Sequence, residues 1–215
     1  MVDDKNEKNR KLTAAEQRRF TAYEAISEDF AEKGYRRTEL TVGIVKANVF
    51  AILLGIPVVI IGLVLFFLVN LKKDFTWLSG KQMIIFVIAI LLLVVVHELI
   101  HGITWSVFTE HHFGDIEFGF MKEYLTPYCT CKCPLSKGKY IIGALMPLII
   151  LGIIPMAAGI MMGSMVLLMI GIVMVLSAGG DILIVINIMK YKTRSEDVLY
   201  LDHPTQAGGV IFEKI

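Results

Sequence analysis

The pattern of apolar and polar residues divides the chain into long apolar runs framed by charged segments. The first run extends from about Ala47 to Leu71, after Lys46 and before Lys72-Lys73-Asp74. The second begins near Gln82 and continues to about Phe108, and from Tyr140 to Gly180 there is no charged residue at all. A helix crossing a bilayer needs about 20 apolar residues, so this last stretch is too long for one crossing. Met162-Gly163-Ser164 is the place where small, turn-forming residues divide it. The pattern predicts four spans, over about 47–71, 82–108, 140–162 and 164–189.

The flanking segments follow other periods. Ahead of the first span, Thr13-Ala14-Ala15-Glu16 is a capping box that opens a helix. Phe20, Tyr23, Ile26 and Phe30 follow at helical spacing among charges. This amphipathic helix lies either on the inner leaflet or against the protein's own cytoplasmic loop. After the second span, Ile116 to Met121 and Tyr124 to Pro134 alternate with period two, which predicts two short strands and a hairpin closing near Lys122-Glu123. The expected fold class is therefore an all-α membrane protein of about four transmembrane helices, with a small cytoplasmic β-hairpin-like segment and an N-terminal amphipathic helix. Its organisation reads as an N-terminal segment (1–45), a four-span core (46–190) with a loop over 109–139, and a C-terminal tail (191–215).

Composition agrees with that picture. Of 215 residues, 55% are hydrophobic and the mean hydropathy is +0.66, against roughly 45–50% apolar in a soluble domain even when glycine is counted. A net charge of +1 gives no reason to expect nucleic acid as a partner. Three cysteines, close together, do not make a secreted disulfide framework. The densely charged opening lacks the apolar core of a signal peptide. The placement of charge is more informative than its sum. Ten of the 21 lysines and arginines precede the first span, three lie between spans one and two, four follow span two and four follow span four. The turn between spans three and four has none. The positive-inside rule then puts both termini and the 109–139 loop in the cytoplasm, so spans two and four run in the same direction.

Within the second span stands His97-Glu98-Leu99-Ile100-His101. Residues four apart share a helix face, so both imidazoles can reach one Zn²⁺ while Glu98 sits beside them. Glu98 can then act as general base toward water that the metal has made more acidic. Two histidines and a glutamate within lipid are expensive without a partner or a task. The competing reading is a chance match, with the histidines bonded to their neighbours.

A catalytic zinc takes three protein ligands and leaves one position open. The metzincin extension is excluded, because Thr104 and Val107 occupy the places of its glycine and histidine. His111 and His112 lie roughly 15 Å further along a continuing helix. Asp181 is the better third ligand. His97 and His101 lie about 15 and 19 residues from the outer start of span two, and Asp181 lies about 17 from that of span four, which puts all three at one depth. Ala178-Gly179-Gly180 ahead of it permits close helix approach or local unwinding. The alternative for Asp181 is a structural carboxylate bonded to Ser177, Asn187 or the backbone.

These residues carry a resemblance. The motif in one span and a late, glycine-preceded aspartate in another look like the site-2 class of intramembrane metalloproteases. The sequence resembles more closely a family of small bacterial membrane proteins described as putative zincin peptidases. The likeness rests on Lys46-Ala47-Asn48, on His97 to Gly102 and on Leu145-Met146-Pro147, and it extends from about Thr41 to Met189. It implies His97, His101 and Asp181 as zinc ligands, Glu98 as general base, and a bacterial cytoplasmic membrane as the location. One departure from the site-2 pattern is evident: Gly180-Asp181-Ile182 stands where Leu-Asp-Gly is usual, with no Asn-x-x-Pro upstream. In site-2 proteases a strand near the active site pairs with unwound substrate, and the 116–134 segment is a candidate for that part.

Cys129-Thr130-Cys131-Lys132-Cys133 lies in the same segment. Its sulfurs would share one face of a strand and are read as reduced, partly buried thiols, a metal- or redox-sensing role being the alternative. The function expected is a membrane-embedded zinc metallopeptidase acting on a membrane-associated protein or peptide, with the lipid bilayer as its surroundings and Asn187 or His111 as candidate oxyanion donors. The alternative is a non-proteolytic metal-binding or scaffold protein; intact Glu98 argues against it, and the spans lack the paired polar residues and internal repeats of a transporter.

Overall fold

The structure, a computed structural model, describes residues 12–71, 79–121 and 126–215. The expected hairpin tip at Lys122-Glu123 lies outside the described residues. Helix α1 (Ala14–Glu32) opens on the Thr13–Glu16 capping box and leads into strand β1 (Tyr35–Thr41). Helices α2 (Ile44–Val69) and α3 (Gly80–Ser106) follow, the latter capped by Ser79 and Gln82. A short 3-10 turn (His112–Asp115) precedes the hairpin strands β2 (Ile116–Met121) and β3 (Thr126–Cys131). Strand β4 (Leu135–Ser136) feeds helix α4 (Lys137–Met162). Then come α5 (Met165–Ser177), α6 (Gly179–Lys190), β5 (Val198–Asp202) and β6 (Gly208–Lys214).

The apolar runs become helices whose side chains point outward. Leu53 and Leu91 are 62% and 65% exposed. Such surfaces are costly in water and ordinary in lipid. Three helices are long and apolar enough to cross a membrane, and a fourth crossing exists if α5 and α6, bent by 47°, are counted together. The turn foreseen at Met162-Gly163-Ser164 is present, with Gly163 at φ +74°, a left-handed conformation that closes α4 without a Cβ clash. Within α4 the winding widens over Leu148–Ile153, between Pro147 and Pro155, where proline removes an N–H from the helical ladder. Asn70 ties the end of α2 to α4 by donating to the carbonyls of Phe66 and Ile160.

The all-α expectation needs a correction. Beside the β2–β3 hairpin there is a four-stranded antiparallel sheet of order β1-β6-β5-β4. The segment read as a C-terminal tail supplies its two central strands, pairing Tyr35 with Lys214 on one side and Leu135 with Tyr200 on the other. The sheet therefore gathers the N-terminal segment, the loop after α3 and the C-terminus at one end of the helices. Its faces follow the two-residue period of strands. Leu199, Leu201, Val210 and Phe212 pack under α1 against Phe20, Tyr23, Ile26 and Phe30. Tyr200 and Ile211 face the other way, joining Trp105, Tyr140, Val185 and Ile188 from the helix ends. The apolar face of α1 thus lies on the sheet. Burial of such side chains contributes about 1.5–3 kcal/mol each, which holds this layer against the bundle.

Candidate metal centre

Helix α3 sets His97 and His101 one turn apart on its buried face, each about 4% exposed, with ring centroids 4.8 Å apart. Asp181 enters from the first turn of α6, immediately after the bend that follows Ala178. The small residues ahead of it serve that approach, since Gly179 lies against Ala51 of α2. His97 Nε2 stands 3.2 Å from His101 Nε2 and 3.2 Å from Asp181 Oδ2, and His101 Nε2 stands 3.5 Å from Asp181 Oδ2. Among the described residues this is the one group of His, Cys, Asp and Glu side chains close enough to hold a metal ion.

The donor set fits zinc. Bonds of about 2.0–2.1 Å in a tetrahedral site put ligand atoms about 3.3 Å from one another, close to the triangle seen here. Proton positions point the same way. The His101 Nδ1–H donates to the carbonyl oxygen of Gly143 at 2.8 Å. A carbonyl can only accept, so this ring nitrogen carries the hydrogen and Nε2 presents a lone pair. That lone pair, a carboxylate oxygen and His97 Nε2 converge on one point. A proton on His97 could serve one of its neighbours; a cation serves all three. His97 Nδ1 is buried without a hydrogen-bond partner among the described residues, so no such contact orients its ring.

Glu98 shares a cavity of about 210 Å³ with His101 and Asp181. Residues 127–130 of β3, Arg19 of α1 and the 203–208 loop also wall it. Arg19 joins these parts: it donates to Glu117 at 2.8 Å, to the Pro204 carbonyl at 3.0 Å and to the Tyr128 hydroxyl, with its guanidinium 4.6 Å over the Tyr128 ring. Asp202, also on the cavity wall, accepts from the Tyr140 hydroxyl at 2.6 Å and from the Cys131 N–H at 2.8 Å. Burial nonetheless raises its carboxyl pKa from the ordinary value.

Other residues singled out from sequence lie elsewhere. His111 lines a separate cavity with Asp115 and Cys133. His112 is held at φ +50° and bonds through Nδ1 to the Ser106 carbonyl at 2.9 Å. Asn187, like His111, is not among the residues lining the Glu98 cavity, so neither is placed to steady an oxyanion there. The three cysteines are free thiols. Burial pushes Cys131 up to about 12 and Cys133 up to about 11, and Cys129 further still. Sequence reasoning missed Gly143, Arg19 and Asp202. A backbone carbonyl leaves no mark in a sequence, and the other two owe their place to contacts between distant segments.

Residues 90–195 match the family model described as "Putative zincin peptidase". The zincin match covers about half of the chain, the half that contains His97, Glu98, His101, Gly143 and Asp181. Helix α1, strand β1, helix α2 and the β5–β6 hairpin lie outside it. No curated protein and no solved structure matches the chain. Likeness to the zincin family supports a metallopeptidase, and the apolar helices mark a membrane protein.

Proposed function

We propose that this chain is a membrane-embedded zinc metallopeptidase that hydrolyses a peptide bond in a membrane-associated protein or peptide. One observation carries the reading: three potential zinc ligands converge within 4.8 Å, with Glu98 of the same motif on the wall of the adjoining cavity. Zinc held by His97, His101 and Asp181 would supply Lewis-acid polarisation of a carbonyl and a lowered pKa for water.

The remaining work falls to the chain's own groups. Glu98 takes the proton from the attacking water as the C–O bond forms, and delivers it to the amine nitrogen as the C–N bond breaks. Gly143 holds His101 in the tautomer that keeps Nε2 free of hydrogen. Strand β3 walls the cavity that holds Glu98, so a substrate segment reaching the site would pass beside it. The lysine and arginine excess assigns the sheet end, and with it both termini, to the cytoplasm.

Metal analysis of protein purified in detergent micelles tests the reading. About one zinc per chain is expected for the wild type, with marked loss in His97→Ala, His101→Ala and Asp181→Ala. Wild-type protein that takes up no zinc from a micromolar solution would overturn it.

A further inference from the structure

Strand β3 turns alternate backbone groups toward β2 and away from it. Pro127, opposite Phe120, has no N–H to give. Lys132, just past the strand, donates to the Asp115 carbonyl at 2.8 Å on the β2 side, so even-numbered residues face β2. Cys131 donates outward instead, to Asp202 Oδ2 at 2.8 Å. Cys129 belongs to the same outward set as Pro127 and Cys131. Its N–H is therefore turned away from β2, and Glu98 of α3, which packs along β3, lies close enough to accept from it. Glu98 and Cys129 also line one cavity. Of the three outward positions on β3, one lacks an N–H and the other two meet acidic side chains.

A glutamate side chain has several rotatable bonds, and a general base must sit within about 2.6–3.2 Å of the proton it takes. A charge-assisted N–H from a paired strand is well suited to hold such a carboxylate. We propose that the Cys129 backbone N–H is a positioning donor for Glu98, fixing its carboxylate on the cavity wall beside the His97–His101–Asp181 triangle. The catalytic meaning of this contact rests on Glu98 being the base; the contact itself does not.

Two measurements on the full-length, zinc-loaded protein in micelles decide the matter. In amide hydrogen exchange, Glu98→Ala should speed exchange at Cys129 at least roughly tenfold and leave Cys131, bonded to Asp202, at its wild-type rate. Equal rates at Cys129 in both proteins would overturn the proposal. The second measurement compares Cys129→Pro with Cys129→Ser, which differ by this N–H, using β-casein as an unstructured probe substrate. Pro127 shows that proline is accommodated on this edge. kcat should be about 10²-fold lower in the proline variant, with KM and zinc affinity alike in the two. Equal kcat values would also overturn the proposal. If the wild type leaves β-casein uncut, the exchange result still supports or overturns the contact, and the peptidase reading stands or falls on the zinc measurement above.

Discussion

His101 donates its Nδ1–H to the carbonyl oxygen of Gly143, 2.8 Å away on the neighbouring helix. The approach is possible because Gly143 has no side chain: a Cβ there would collide with the indole of Trp105. That indole stacks on His101, with centroids 5.2 Å apart and planes 16° from parallel, and donates to the Tyr140 carbonyl at 3.2 Å. Gly143→Ala should therefore part α3 from α4 and loosen His101 without touching a ligand. Zinc affinity, read by competition with a chromophoric chelator, should fall about 10–100-fold, as for loss of an orienting partner. Gly180→Ala, whose new Cβ meets nothing within 4 Å, should leave it nearly unchanged.

Glu98→Gln keeps the shape of the side chain and removes the proposed base. Zinc content should stay at the wild-type level while peptide hydrolysis falls about 10²–10⁴-fold, the usual contribution of a positioned general base. Wild-type turnover by this variant on any substrate of the wild-type enzyme would sink the mechanism.

Sidedness can be read by labelling. Glu28 on α1 and Lys192 after α6 are both exposed, and the sheet holds their segments at one end of the helices. Single cysteines introduced there, in a background without the native three, should both react with a membrane-impermeant maleimide only after cells are opened. Reaction of either in intact cells would reverse the assignment of the sheet end to the cytoplasm.

The buried Cys131 and half-buried Cys133 make a prediction about pH. Unfolded cysteines titrate near about 8.5, whereas Cys131 and Cys133 hold their protons up to about 12 and about 11. At neutral pH they carry little thiolate, so iodoacetamide should modify them roughly 100-fold or more slowly than an exposed thiol, and quickly once denaturant is added. The sign for stability follows. Between about pH 8.5 and these raised values the unfolded chain has lost protons that the folded chain keeps, so stability falls as pH rises. Replacing both cysteines with alanine should flatten that alkaline loss in thermal melts.

The sequence by itself determined what depends on neighbours in the chain. Apolar runs long enough for a bilayer crossing mark the positions of α2, α3 and α4, because a span follows from hydropathy along the chain. The four-residue spacing of His97 and His101 puts them on one face of any helix. Counting residues from the ends of two parallel spans brings Asp181 to their level, since helical rise is constant, and the structure sets the three side chains together. What only the tertiary structure decided depends on segments far apart. Strand β6 is buried on both faces, so Val210, Ile211 and Phe212 show no alternation to announce a strand, and its partner β1 lies more than 160 residues earlier. The same layer brings Arg19, β3 and Asp202 to the Glu98 cavity. The tautomer of His101 is set by a carbonyl that every residue possesses, and only the packing of α4 on α3 selects that of Gly143.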